Sequence, residues 1–332
     1  VERYVAMIET VTAEQMDRWP VGEPLALVPR MQSVTLDVIL SGIFGIDGRP
    51  APGTPEARLR TAISRTLWLS TLPGSKVAEV MNLGRERAVG AVKVVMDMID
   101  RAIYPVIAAR RADPELAGRT DIMSTLLQAR TEDGELLTDL ELRNELLTLL
   151  LAGHETTANQ LAWAWERLLR TPAAHERLLE AVRGGDRARG DEVVEQTIWE
   201  AMRNRPVVPA VGRRVTVPWR LGDYAVPAGT AVIIHSLLIH HREDLYPDPF
   251  AFRPERWEGT QKPGTYTWIP FGGGIRRCLG ATLAMAEQRV VLRAMAERLE
   301  LIAPDPAPER VVHRNVTMVP RHGARVVITA RA

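Results

Sequence analysis

From Thr138 to Arg170 the chain keeps apolar residues at three- and four-residue spacing with no proline to break the run. Thr138 and Asp139 offer capping side chains at the start, and Thr171-Pro172 stops the pattern. At about 1.5 Å of rise per residue, such a helix is on the order of 50 Å long, enough to cross a whole domain. A chain that carries it must build a large helical body around it.

The flanking sequence agrees. Helical spacing recurs over 1–18, 28–45, 55–70, 76–110, about 120–130, 172–184, 191–204 and 279–299. Between 207 and 235, valine-rich runs alternate with Gly222-Asp223 and Pro227-Ala228-Gly229, which predicts short strands and turns. Residues 245–270 are rich in proline and glycine and predict an ordered meander, and Arg325–Thr329 predicts a closing strand. The expected fold class is mainly α with a minor β region, in a single domain over 1–332.

Charge narrows little. Lys and Arg total 42 against 41 Asp and Glu, a net charge of +1, which gives no field to attract nucleic acid or an anionic membrane. No membrane span is expected from the apolar runs, and no signal peptide opens the chain. There is one cysteine, Cys278, so no internal disulfide can form.

That cysteine lies in Phe271-Gly272-Gly273-Gly274-Ile275-Arg276-Arg277-Cys278-Leu279-Gly280. The glycines let backbone approach a flat ligand closely. A thiol at the start of the 279–299 helix is shifted toward thiolate by the helix dipole and exposed N–H groups. Arg276 suits a carboxylate. A thiolate so placed is what a haem iron needs for O–O cleavage. The plainer reading is a glycine turn before a helix with a buried cysteine. A dinucleotide loop is excluded, because the spacing misses G-x-G-x-x-G and no strand leads into it.

Three other motifs bear chemistry. Ala152-Gly153-His154-Glu155-Thr156-Thr157 sets an acid beside a hydroxyl in an apolar helix, an arrangement able to relay protons through water; the alternative is threonine bonding back to its own helix. A zinc-protease reading fails because Ala158 stands where the second histidine would be. Glu200-Ala201-Met202-Arg203 puts an acid and a base on one face at the end of a packed helix, where most such pairs are solvated. Phe252-Arg253-Pro254-Glu255-Arg256-Trp257 lies downstream, in the meander.

In order and spacing these motifs resemble the cytochrome P-450 family, and the likeness runs from residue 1 to the end. The resemblance implies a haem b cofactor with Cys278 as axial iron ligand, Arg276 on a propionate, and Phe271 packed on the thiolate side. Gly272, Gly274, Gly280 and Ala152 would stand against the haem. It implies Thr156 beside bound O2, Glu155 as the proton-feeding acid, and His154 as packing. Glu200, Arg203 and Arg256 would form a buried structural network. Arg213 sits where a second propionate arginine is often found, with Arg214 an equal candidate by chemistry. Thr148, Leu151, Ala152, Val208, Val211 and Val316 would line a pocket for a hydrophobic small molecule.

The implied activity is insertion of one oxygen atom of O2, with electrons from a separate ferredoxin or flavodoxin, in a soluble, cytoplasmic monomer of the bacterial type. Family members are longer. The resemblance therefore implies that the first helices, two sheet strands and the loop over the haem are missing from this chain. The rival expectations are a haem-binding remnant without turnover and a peroxide-driven enzyme; the Glu155-Thr156 pair speaks against peroxide alone.

Overall fold

A computed structural model describes residues 2–332 apart from 47, 49, 71–80, 83–87, 260 and 261. The chain divides into two compact units, one of residues 1–35 and 153–332, the other of residues 36–152.

The smaller unit is helical. It holds α3 (Pro55–Ser70), α4 (Gly90–Arg111), α5 (Ile122–Gln128), the end of α2 (Leu27–Phe44) and the first part of α6 (Asp139–Leu168). The expected 76–110 helix is described from Gly90 onward; its earlier residues lie largely outside the described ones. A capping box starts α6: the Thr138 amide donates to the Glu141 carboxylate at 2.9 Å, and the Glu141 amide returns to Thr138 Oγ1 at 3.3 Å. Leu142, Leu146 and Leu150, one turn apart, enter a core with Phe44, Leu59, Ile103 and Met123. Asp121 caps α5 by accepting from the Ser124 amide at 2.9 Å, and it also takes Arg110 at 2.6 Å.

The larger unit holds the rest of α6, then α7 (Pro172–Arg183), α8 (Arg187–Asn204), α9 (Ser236–His240) and α10 (Ala281–Arg298), with α1 (Glu2–Met16) packed on α10. Asp186 caps α8, so that helix begins four residues before the periodicity predicted. Among the described residues, nine short strands, β1 to β9, run in chain order as Pro24–Ala26, Val211–Arg214, Trp219–Leu221, Tyr224–Val226, Ala231–Ile234, Leu299–Ile302, Val311–Arg314, Thr317–Pro320 and Arg325–Arg331. They form a three-stranded antiparallel sheet, β1-β9-β6, and the pairs β2-β5, β3-β4 and β7-β8. The 207–235 strands and the closing strand stand where the pattern put them. β1, β6, β7 and β8 were not anticipated; three or four residues are too few to show a period of two.

Against the expectation of no membrane span, α2 is long and apolar enough to cross a bilayer by length and composition. It carries Arg30 and Asp37, and 72% of it is buried inside the protein, as in a core helix.

Candidate active site

α10 begins at Ala281, after a turn through Leu279 and Gly280, so Cys278 stands three residues ahead of it rather than on its first turn. No side chain caps this helix. The Cys278 amide donates to the Phe271 carbonyl at 3.0 Å, closing the loop on itself. Gly272 and Gly274 hold positive φ of 69° and 66°, a region that disfavours any side chain. A Cβ added at Gly272, Gly273 or Gly274 would meet nothing within 4 Å, so bare backbone fronts open space.

Cys278 is exposed rather than buried, and the apolar side chains beside it are exposed as well: Ile275 at 101% and Leu279 at 92%. Water-facing isoleucine and leucine around a thiol are unfavourable unless something apolar covers them. A flat apolar ring with carboxylate arms and a metal that binds sulfur matches this surface: a thiol donor, apolar flanks, bare glycine backbone, and exposed Arg276 for a carboxylate.

Behind the loop lies a saturated polar network. Glu200 and Arg203, both fully buried on α8, bond through Nε at 2.9 Å and Nη2 at 2.7 Å. Arg203 also donates to the carbonyls of His240 (2.8 Å), Pro249 (2.7 Å) and Ala251 (3.0 Å), and lies over the Tyr246 ring. The Glu200 carboxylate further accepts from the Arg253 amide at 2.8 Å, Arg256 Nε at 3.1 Å and Trp257 Nε1 at 3.1 Å. Every donor of the Arg203 guanidinium is engaged, the condition under which a buried ion pair is tolerated. Glu200, Arg203 and Arg256 are thus brought together, and they fix a segment that has almost no regular structure.

Two further ties carry this order to the cysteine loop. The Ile269 amide donates to His240 Nε2 at 2.9 Å, and Trp268 Nε1 donates to the Trp199 carbonyl at 3.0 Å. Trp268 meets Phe271 edge-on at 6.1 Å, and the Gly272 amide returns to Ile269 O at 3.0 Å. Burial, with Arg203 and His241 nearby, pushes the His240 pKa down to about 3, so its ring stays neutral and keeps a lone pair for that amide. The sequence reading missed His240. Two adjacent histidines at the end of a short helix carry no signal of such a role.

On α6, Thr148, Leu151 and Ala152 are exposed, and Glu155 and Thr156 half-buried, just before a run buried without a break from Thr157 to Glu166. Thr148 Oγ1 bonds back to Asn144 O at 2.8 Å. His154 is buried, its Nε2 3.0 Å from Gln32 O; desolvation lowers its pKa to about 4, leaving a neutral packing residue. Glu155 meets Arg314 of β7, a partner the sequence did not suggest. Arg213 and Arg214 are both exposed on β2, and Arg213 donates to Gly212 O. Val208 and Val211 are half-buried, and Val316 is 70% exposed at the tip of the β7-β8 hairpin. Thr148 and Leu151 belong to the smaller unit, and the three valines to the larger.

A mainly helical chain with a lone cysteine on a glycine loop, pinned by a buried Glu-Arg-Arg network, defines the haem-thiolate class. Comparison with known proteins agrees: the sequence profile described as Cytochrome P-450 matches residues 1–327. The chain belongs to the cytochrome P-450 family, whose cofactor is haem b. It is similar to cytochrome P-450 137 of Mycobacterium tuberculosis, 41% identical over 329 residues, covering 98% of this chain and 67% of that protein. It is likewise similar to cytochrome P-450 135B1 of Mycobacterium bovis, 40% identical over 333 residues, covering 99% of this chain and 69% of that one. The fold matches the crystal structure of the cytochrome P-450DA haem domain with a TM-score of 0.79 at 22% identity, over 99% of this chain and 73% of that one.

Proposed function

We propose that this chain, as one haem-thiolate oxygenase domain, oxidises a hydrophobic small molecule: RH + O2 + 2e⁻ + 2H⁺ gives ROH + H2O. The electrons come from a separate ferredoxin or flavodoxin. Haem, when bound, supplies the activation of dioxygen. The remaining roles belong to the chain. Cys278 holds the iron through its thiolate, and Arg276, with Arg213 or Arg214, takes the carboxylates. The Glu200-Arg203-Arg256 network and His240 keep the loop in place. Glu155 holds and passes protons, and the Thr156 hydroxyl orients the water that delivers them. Val208, Val211 and Val316 meet the substrate, whose apolar character follows from theirs.

One observation carries this reading: an exposed thiol between two exposed apolar side chains on bare glycine backbone. The reduced carbon monoxide complex should show the red-shifted Soret band of thiolate ligation, and Cys278→Ser should abolish it. A mutant that keeps the band would remove Cys278 from the iron.

A further inference from the structure

We propose that Arg314 is a latch on the Glu155 carboxylate, worked by the β7-β8 hairpin. The inference rests on the reading of Glu155 as proton donor.

Arg314 Nη1 lies 3.4 Å from Glu155 Oε1, with both side chains partly exposed at 37% and 27%. Arginine has no acceptor and does not release its proton, so it is a dead end for proton transfer. The oxygen it engages, Oε1, is one of the two carboxylate oxygens able to carry the proton. While the pair is closed, the route through that oxygen stops.

The β7-β8 hairpin carries this contact. Its base is fixed: Met318 O accepts from buried Trp163 Nε1 at 3.0 Å, and Met318 N donates to Val207 O at 2.7 Å. Its tip is a tight turn, with Arg314 paired to Thr317, Thr317 Oγ1 bonded to Arg314 O at 2.7 Å, and Asn315 at φ 52°. Val316, apolar and 70% exposed, sits between them. A hydrophobic molecule packing on Val316 therefore acts on a turn two residues from the guanidinium. Exposed ion pairs shift an equilibrium by about two- to fivefold, which sets the size of the effect to expect here.

The test uses the full-length haem-loaded chain with a surrogate ferredoxin and reductase, O2, and no organic substrate. Ferredoxin electrons then reduce O2 with two electrons and two protons to H2O2, or with four of each to two H2O. Arg314→Gln should raise O2 uptake about two- to fivefold, the range of such a pair. Arg314→Lys, which keeps a cation, should return it toward wild type, and Glu155→Gln added to Arg314→Gln should cancel the gain. Without turnover, a double-mutant cycle of the two positions in urea unfolding should give a coupling of the same size. Unchanged or slower uptake in Arg314→Gln beside a normal carbon monoxide band, or an additive cycle, overturns the latch. A wild-type protein without the band overturns the haem-thiolate reading instead, and the latch with it.

Discussion

Glu287 lies in α10, the helix that follows the cysteine loop; it is 2% exposed, and its Oε1 has no hydrogen-bond partner among the described residues. Burial pushes its pKa up from 4.5 to about 8, so the folded protein holds it as the neutral acid at pH 7. The unfolded chain releases that proton near the ordinary value. Below pH 4.5 both states are protonated and the site favours neither. Between the two pKa values the folded state binds more protons, so stability falls as pH rises, by about 1.4 kcal/mol per unit. From pH 5 to pH 8 the loss amounts to roughly 3–4 kcal/mol, a large part of the roughly 5–15 kcal/mol that holds a domain together. Glu287→Gln removes the titration. It leaves buried amide donors that cost about 1–3 kcal/mol, a cost independent of pH. The assay is urea unfolding of wild type and mutant, followed by tryptophan fluorescence at half-unit steps between pH 5 and 8. Other titrating groups cancel in the difference, which should tilt steadily toward the mutant as pH rises. Parallel stability curves would refute the account.

Thr156→Ala should keep haem and substrate binding but release more of its electrons as peroxide; unchanged coupling of electrons to product would make Thr156 a packing residue. Arg203→Ala leaves the Glu200 charge buried without its main partner and should cost about 3–5 kcal/mol, read as a lower melting temperature and less haem per polypeptide with little change in rate per haem. His240→Phe should speed hydrogen exchange in peptides spanning Ile269 and hasten loss of the thiolate carbon monoxide band. His240→Asn, which restores an acceptor, should reverse both, and equal behaviour of the two variants would show that the ring only fills space.

What the sequence made legible was chemistry at fixed spacing. Cys278 among its glycines stands out because few other arrangements need those residues at those intervals, whereas Glu200 and Arg203, an ordinary pair by spacing, gain meaning only with Pro254-Glu255-Arg256-Trp257 downstream. Residues whose role depends on distant partners gave no such signal. His240 matters through an amide 29 positions on. Arg314 reads as one arginine among many, and its partner lies 159 positions away. Glu287, in Ala286-Glu287-Gln288-Arg289, looks like an ordinary solvated helix charge until the fold buries it. The division at residues 152 and 153 was invisible for a related reason: it falls within α6, whose periodicity runs through it unbroken.

The Arg203 guanidinium has a consequence for how the chain tolerates change in length. A helix or a sheet can absorb an extra residue by slipping its ladder or by bulging. The segment from His240 to Trp257 has no ladder for most of its course; three of its carbonyls are registered instead on one rigid planar fork. Inserting or deleting a single residue between His240 and Ala251 would lift at least one carbonyl off the fork, and no neighbouring peptide could take its place without turning. Arg203 thus acts as a ruler laid along this stretch, so grafts and insertions belong elsewhere, at turns such as Gly222-Asp223.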